Sequence, residues 1–196
     1  MNQPTDNLKE LRRVISALRD LQIDYALGGS MASSLLGIPR FTQDADLMVE
    51  PFEARESLLA SSFGSDYYVS VPAIVEAIAR RRSFNVIHTS TGFKADLFVR
   101  RDRPFEISAM HRRVAVELPD APNEPIHVLS AEDVILFKLE WYRLGGEVSD
   151  RQWNDILGLL NIQAGRLDRT YLQHWASELN VSDLLARVVQ DAGTRE

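Results

Sequence analysis

Apolar and polar residues follow two different periods along the chain, and these periods predict its secondary structure. Short apolar runs bounded by glycine, proline and polar residues are typical of strands, and apolar residues three to four apart are typical of helices. Strands are predicted at 23–27, 44–49, 84–89, 93–99, 112–117 and 126–128, with a short extended piece at 67–69. Helices are predicted at 6–20, 31–36, 52–61 and 72–82. This alternation predicts an α/β front part.

From Ser130 onward the pattern is helical throughout. Helices are predicted at 130–144, 149–162, 168–177 and 181–190. Ser130, followed three residues later by Asp133, resembles the capping box that marks the start of a helix. We therefore predict a boundary near Pro125, with an α/β domain at 1–125 and a C-terminal helical subdomain at 126–196.

The composition is that of an ordinary globular protein and excludes several kinds of chemistry. The 196 residues are 45% hydrophobic and 26% charged, with a net charge of −6, which does not suit a general nucleic-acid coat. The absence of cysteine excludes disulfides, zinc–thiolate sites and thiol nucleophiles. No apolar run approaches the ~20 residues of a membrane span, and the N-terminus lacks a signal-peptide hydrophobic region. We therefore expect a cytoplasmic protein with no membrane partner.

Three aspartates are the candidate catalytic groups. Asp44 and Asp46 lie two residues apart on one predicted strand, so their side chains point to the same face. Two adjacent carboxylates repel each other, and a divalent cation relieves this repulsion. Asp96 lies on a later predicted strand, and the three carboxylates converge if the two strands are neighbours. Carboxylates around Mg²⁺ are what nucleotidyl transfer requires, although an Asp-x-Asp alone also fits a solvated strand end.

A glycine-rich turn precedes the first aspartate pair. Gly28, Gly29 and Ser30 follow a strand and open a helix. Glycine lets a backbone approach a phosphate closely, and the amides at a helix N-terminus attract anions. The alternative is a plain strand-to-helix turn with Ser30 as its N-cap.

This combination resembles the nucleotidyltransferase superfamily. Gly-Gly-Ser, followed after 13 residues by Asp-Ala-Asp-Leu, is similar to the superfamily signature. Residues 40–47, RFTQDADL, most resemble the version found in AbiEii-like nucleotidyltransferase toxins and their uncharacterised relatives. Residues 94–98, KADLF, resemble the strand that carries the third carboxylate, and 129–143 and 151–157 resemble later helical segments. The resemblance covers about residues 20–160.

The resemblance implies a mixed β-sheet flanked by helices, with a helical C-terminal part. It also implies an enzyme that uses Mg²⁺, with Mn²⁺ as the alternative ion, to move a nucleoside monophosphate from a triphosphate such as ATP to an acceptor. The acceptor would be RNA (tRNA for the toxin relatives), a protein or a small molecule, and an antitoxin protein would be a partner. The alternative is a non-catalytic nucleotide-binding or regulatory module with the same fold.

The resemblance also implies roles for individual residues. The catalytic and metal-binding residues would be Asp44, Asp46 and Asp96. The nucleotide-binding residues would be Gly28, Gly29, Ser30, Arg40, Thr42, Lys138 and Asp155. A lysine amid apolar residues, as Lys138 is, can instead extend its amine into water. Lys94, two residues before Asp96 and so on the same face, could weaken or replace metal binding there.

Overall fold

The chain forms two compact units in the computed structural model, which describes residues 4–118 and 121–193. The first unit contains the described residues up to Met31 together with Phe41–Val128. The second contains Ala32–Arg40 and the described residues from Leu129 onward. No helix among the residues described is both long enough and apolar enough to cross a membrane.

The first unit is built on a mixed β-sheet. Its strands are β1 (Tyr25–Leu27), β2 (Asp44–Val49), β3 (Tyr67–Val69), β4 (Ser83–His88), β5 (Lys94–Val99), β6 (Val114–Leu118) and β7 (Ala121–Val128). Within the described ranges the sheet has seven strands in the order β3-β4-β5-β2-β1-β7-β6. The β2–β5 and β1–β7 pairs are parallel, and the other pairs are antiparallel. The predicted α/β class with a mixed sheet is confirmed.

Helices pack with this sheet. They are α1 (Pro4–Asp20), the first turn of α2 (Gly29–Leu36), α3 (Glu56–Ser61), α4 (Val71–Arg80) and α5 (Pro104–His111). The apolar stripe of α1 is fully buried at Leu11, Val14 and Leu18, as its periodicity predicts. Ser70 caps α4 by accepting a hydrogen bond from the Ala73 amide, so the turn before this helix is set locally.

Three element boundaries differ from the prediction. No helix was predicted at Pro104–His111, because its buried face includes Glu106, whose carboxylate is paired with Arg101 and Arg103, and the apolar pattern is interrupted there. Helix α3 begins at Glu56 rather than at residue 52, since Ala54 has a left-handed backbone conformation with φ of 65°. Strand β7 begins at Ala121 rather than at residue 126.

The second unit is helical. It contains the rest of α2 together with α6 (Ala131–Leu144), α7 (Asp150–Ile162), α8 (Arg169–Glu178) and α9 (Ser182–Gly193). The predicted cap of α6 is present, because the Ser130 hydroxyl accepts from the Asp133 amide at 3.2 Å and donates to the Asp133 carboxylate at 2.6 Å.

Residues 32–40 belong to the helical unit, although the sequence pattern grouped them with the front part. Gly37 lies so close to α7 that a Cβ atom on it would be 3.2 Å from the backbone nitrogen of Leu159. The Gln163 side chain also donates a 2.6 Å hydrogen bond to the Leu36 carbonyl. These contacts join segments far apart in sequence, which local patterns do not reveal.

Candidate active site

The three aspartates lie on the two adjacent parallel strands β2 and β5. In this ladder Asp46 is opposite Asp96, and Asp44 is opposite Lys94. The residues between them are buried: Ala45, Leu47, Ala95 and Leu97 are all fully inaccessible. Because side chains alternate along a strand, the four charged residues share the opposite face of the sheet. The structure therefore brings together the three carboxylates that the sequence singled out.

The glycine turn packs directly against the first of these strands. Gly29 has a φ of 57°, and a Cβ atom on it would lie only 1.8 Å from Oδ2 of Asp46. The Gly28 amide donates a 2.7 Å hydrogen bond to the Asp46 carbonyl oxygen. Ser30, half-buried, lies in the first turn of α2. Because both the left-handed φ and the contact require a residue without a side chain, Gly29 places its backbone against the Asp46 carboxylate.

Both carboxylate oxygens of Asp96 are engaged by neighbouring side chains. Lys94 Nζ lies 2.7 Å from Oδ2, and the Asn85 side-chain amide donates to Oδ1. The hydrogen bond with Asp96 raises the pKa of Lys94, against a smaller opposing effect of burial. The negative charges of Asp96, Asp44 and Asp46 raise this pKa further, so the lysine is a stable cation on the carboxylate face.

A hard divalent cation fits part of this face. Asp44 is exposed and Asp46 is half-buried on the same face, where their oxygens suit Mg²⁺ or Mn²⁺. The contact between Asp46 and Gly29 leaves no space for a Cβ atom and brings a phosphate-compatible backbone turn beside this carboxylate. Across residues 4–118 and 121–193, no group of three or more histidine or acidic residues is arranged to hold a metal ion. The pair fits the ion, and the complete triad as it stands does not.

The segment before β2 is fixed by a residue that the sequence did not single out. The side chain of Asn7, on the buried face of α1, donates a 2.9 Å hydrogen bond to the Thr42 carbonyl. The Thr42 hydroxyl donates to the Asp44 carbonyl at 3.3 Å. Thr42 thus supports the backbone that leads into the aspartate pair.

Arg40, Lys138 and Asp155 form a cluster in the helical unit. Arg40 binds Asp155 through two parallel hydrogen bonds of 2.7 and 2.8 Å, and Lys138 Nζ lies 2.9 Å from the same carboxylate. The side chains of Lys138 and Asp155 are only 9% and 8% exposed, so the alternative in which the lysine amine extends into water is wrong. Burial raises the pKa of Asp155, but the hydrogen bonds from Arg40 and Lys138 outweigh it and hold this pKa below its ordinary value.

Asn85 and Asn7 are the polar residues near the aspartates that the sequence reasoning missed. Asn85 is opposite Asp96 in the antiparallel β4–β5 ladder, so its position becomes informative only once the register is known. The alternation of polar and apolar residues in 84–89 was the available signal, because it places Asn85 on the face opposite the buried Phe84 and Val86.

Comparison with solved structures identifies the fold class. No protein-family model and no curated protein sequence matches this chain. The crystal structure of an antigenic nucleotidyltransferase-like protein from Paracoccidioides brasiliensis is similar, with a TM-score of 0.62 and 19% identity over 95% of this chain and 88% of that one. The solution structure of the antibiotic-resistance factor ANT(2'')-Ia has a TM-score of 0.55 and 11% identity, covering 96% and 99% of the two chains.

A crystal structure of ANT(2'')-Ia in complex with adenylyl-2''-tobramycin is also similar. Its TM-score is 0.50 and its identity 14%, and the match covers 88% of this chain and 95% of that one. At these identities the similarity establishes the fold. The chain therefore has a nucleotidyltransferase-like fold, with an aspartate pair and a glycine turn in contact on its sheet.

Proposed function

We propose that this protein is a nucleotidyltransferase that depends on a divalent metal ion and transfers a nucleoside monophosphate from a triphosphate to an acceptor. The observation that carries this proposal is the contact between the Gly29 backbone and the carboxylate of Asp46, with Asp44 on the same face. A turn able to approach phosphate and a pair of oxygen ligands are thus adjacent. The nucleotidyltransferase-like fold supports the proposal.

Asp44 and Asp46 would hold Mg²⁺ or Mn²⁺ through their carboxylate oxygens. The bound ion would orient the triphosphate and offset the charge that develops on the leaving pyrophosphate. Gly28 and Gly29 would let the backbone approach the phosphates, and the Ser30 hydroxyl would donate to a phosphate oxygen. Nucleotide-binding roles for Arg40, Thr42, Lys138 and Asp155 stay predictions.

The donor and acceptor are further parts of the proposal. ATP is the first donor to test, because a similar solved structure contains an adenylyl group joined to tobramycin. That structure favours a small-molecule acceptor with a hydroxyl group. The resemblance of residues 40–47 to the AbiEii-like toxins favours an RNA acceptor, with tRNA first, and a role as the toxin of a toxin–antitoxin pair. A protein hydroxyl is the third acceptor class.

A non-catalytic nucleotide-binding module is the second candidate. The contact of Asp96 with Lys94 and Asn85 favours it, because both oxygens of the third carboxylate are already engaged. Such a module would bind a triphosphate and transfer nothing.

A labelling experiment separates the two candidates. The whole chain is incubated with triphosphates carrying a radioactive α-phosphate, with Mg²⁺ or Mn²⁺, and with total RNA, lysate protein or aminoglycosides in separate reactions. The enzyme labels one acceptor class, and the Asp44→Asn, Asp46→Asn double variant does not. Asp20→Asn is the matched control, since this exposed residue ends α1 and the same chemical change there should leave labelling intact. Nucleotide binding without label in any reaction would establish the second candidate.

A further inference from the structure

Four charged side chains form two rungs on the face of β2 and β5. Asp44 is opposite Lys94 in one rung, and Asp46 is opposite Asp96 in the next. The ammonium group of Lys94 contacts Asp96, two residues along its own strand. Three negative charges and one positive charge therefore share this face, and the positive charge is bound to the carboxylate of β5.

The surroundings of Asp96 differ from those expected of a metal ligand. One of its oxygens receives the Lys94 ammonium at 2.7 Å, and the other receives the side-chain amide of Asn85. Its side chain is 17% exposed, against 36% for Lys94. A metal ion at Asp96 would have to displace a donor that already neutralises the carboxylate, whereas oxygen ligands must offer their lone pairs to the ion.

We propose that Lys94 is a built-in cation that takes the place of a metal ion at Asp96, so that the chain binds a single divalent ion through Asp44 and Asp46. This rests on the proposed function, which supplies the metal site at the aspartate pair. Asp96 is then a positioning residue. It holds the Lys94 ammonium on its own strand and keeps it away from Asp44, the direct cross-strand neighbour of Lys94.

The proposal reverses the expected effect of removing Asp96. If Asp96 is a ligand, its loss weakens metal binding, and removing Lys94 as well cannot restore that ligand. If Asp96 positions Lys94, its loss releases the ammonium toward Asp44, where it competes with the metal ion. Removing the lysine as well then restores metal binding, because the competing charge is gone.

The test is a titration of the whole chain with Mn²⁺, in which free Mn²⁺ is counted by electron paramagnetic resonance. We expect the wild type to bind a single Mn²⁺. Asp96→Asn should bind it about tenfold more weakly, as one unit charge near an exposed carboxylate implies. The Lys94→Met, Asp96→Asn double variant should return to within about twofold of the wild type. Asp20→Asn is the control for the chemical change, and thermal melting checks that each variant is folded.

Three results would overturn the inference. One is a double variant that binds Mn²⁺ no more tightly than Asp96→Asn, and another is a wild type that binds two ions. Lys94→Met alone provides a third test that leaves every carboxylate in place. It should gain a second Mn²⁺ or bind the first more tightly, and unchanged binding would contradict the proposal.

Failure of the proposed function gives a different pattern. In that case the wild type binds no Mn²⁺, or binds it as well as the Asp44→Asn, Asp46→Asn variant does, and both proposals are overturned. Binding that depends on Asp44 and Asp46, without recovery in the double variant, overturns the inference alone.

Discussion

Two carboxylates in this protein are each held by two donor side chains, yet their surroundings differ. Asp96 in the sheet unit contacts Lys94 and Asn85 on an accessible face, where the Lys94 side chain is 36% exposed. Asp155 in the helical unit binds Arg40 and Lys138, and the Lys138 side chain is 9% exposed. Water screens the first pair and is nearly excluded from the second.

The difference in exposure separates a contact suited to chemistry from one suited to stability. Removing one partner of a buried ion pair leaves an uncompensated charge, which is strongly destabilising. Removing one partner of an exposed pair changes stability little, because water solvates the remaining charge. The Asp96 cluster can therefore exchange partners during a reaction, whereas the Asp155 cluster holds its helices and the Arg40 segment together.

The largest expected effect is on catalysis. Asp46→Asn should reduce nucleotide transfer about 1000-fold, because a bound metal supplies several kcal/mol of transition-state stabilisation. The melting temperature should stay close to that of the wild type, since the substitution relieves repulsion with Asp44. Labelling and thermal melting of the same preparation measure both, with Asp20→Asn as the control. A large fall in melting temperature would show that Asp46 is structural.

The next effect compares the two clusters directly through stability. Asp155→Ala should lower the free energy of unfolding by about 3–5 kcal/mol, because the cations of Arg40 and Lys138 lose their buried partner. Asp96→Ala makes the same chemical change in the exposed cluster and should cost less than about 1 kcal/mol. Urea unfolding of both variants measures the difference. Equal losses would show that exposure does not distinguish the clusters.

A smaller effect concerns the glycine that touches Asp46. Gly29→Ala places a Cβ atom 1.8 Å from the Asp46 carboxylate and requires alanine at a φ of 57°. Gly92→Ala is the matched control, because Gly92 has a φ of 71° but open space around the new atom. Backbone strain of about 1–3 kcal/mol applies to both, so urea unfolding should show a loss in each. Only Gly29→Ala should also reduce nucleotide transfer, and equal activities would mean that the contact with Asp46 does not matter.

Local periodicity predicted the sheet face that carries the aspartates. The alternation in 44–49 gave the bounds of β2 correctly and placed Asp44 and Asp46 on one face. The same period of two places Lys94 on the face of β5 that carries Asp96. Side chains that alternate along a strand depend on neighbours within two residues, so the sequence contains this information directly.

Contacts between distant segments could not be predicted in this way. Arg40 and Asp155 are 115 residues apart, and nothing in either segment specifies the other as its partner. The contact of Asn85 with Asp96 depends on the register of two antiparallel strands. Helix α5 was missed for a different reason, because its buried Glu106 interrupts the apolar pattern although Arg101 and Arg103 neutralise it.

The last comparison concerns acid, and its effect is part of the stability measured for Asp155. The hydrogen bonds from Arg40 and Lys138 outweigh burial and hold the pKa of Asp155 below its ordinary value, so the folded state favours the ionised carboxylate. Its contribution should be fully present above the ordinary aspartate pKa of about 4 and lost as the pH falls through the lower folded value. The difference in unfolding free energy between the wild type and Asp155→Asn should therefore be constant near neutral pH and shrink in acid. Urea unfolding at a series of pH values measures this, and a difference that grows on acidification would mean that the buried cluster does not stabilise the charged form of Asp155.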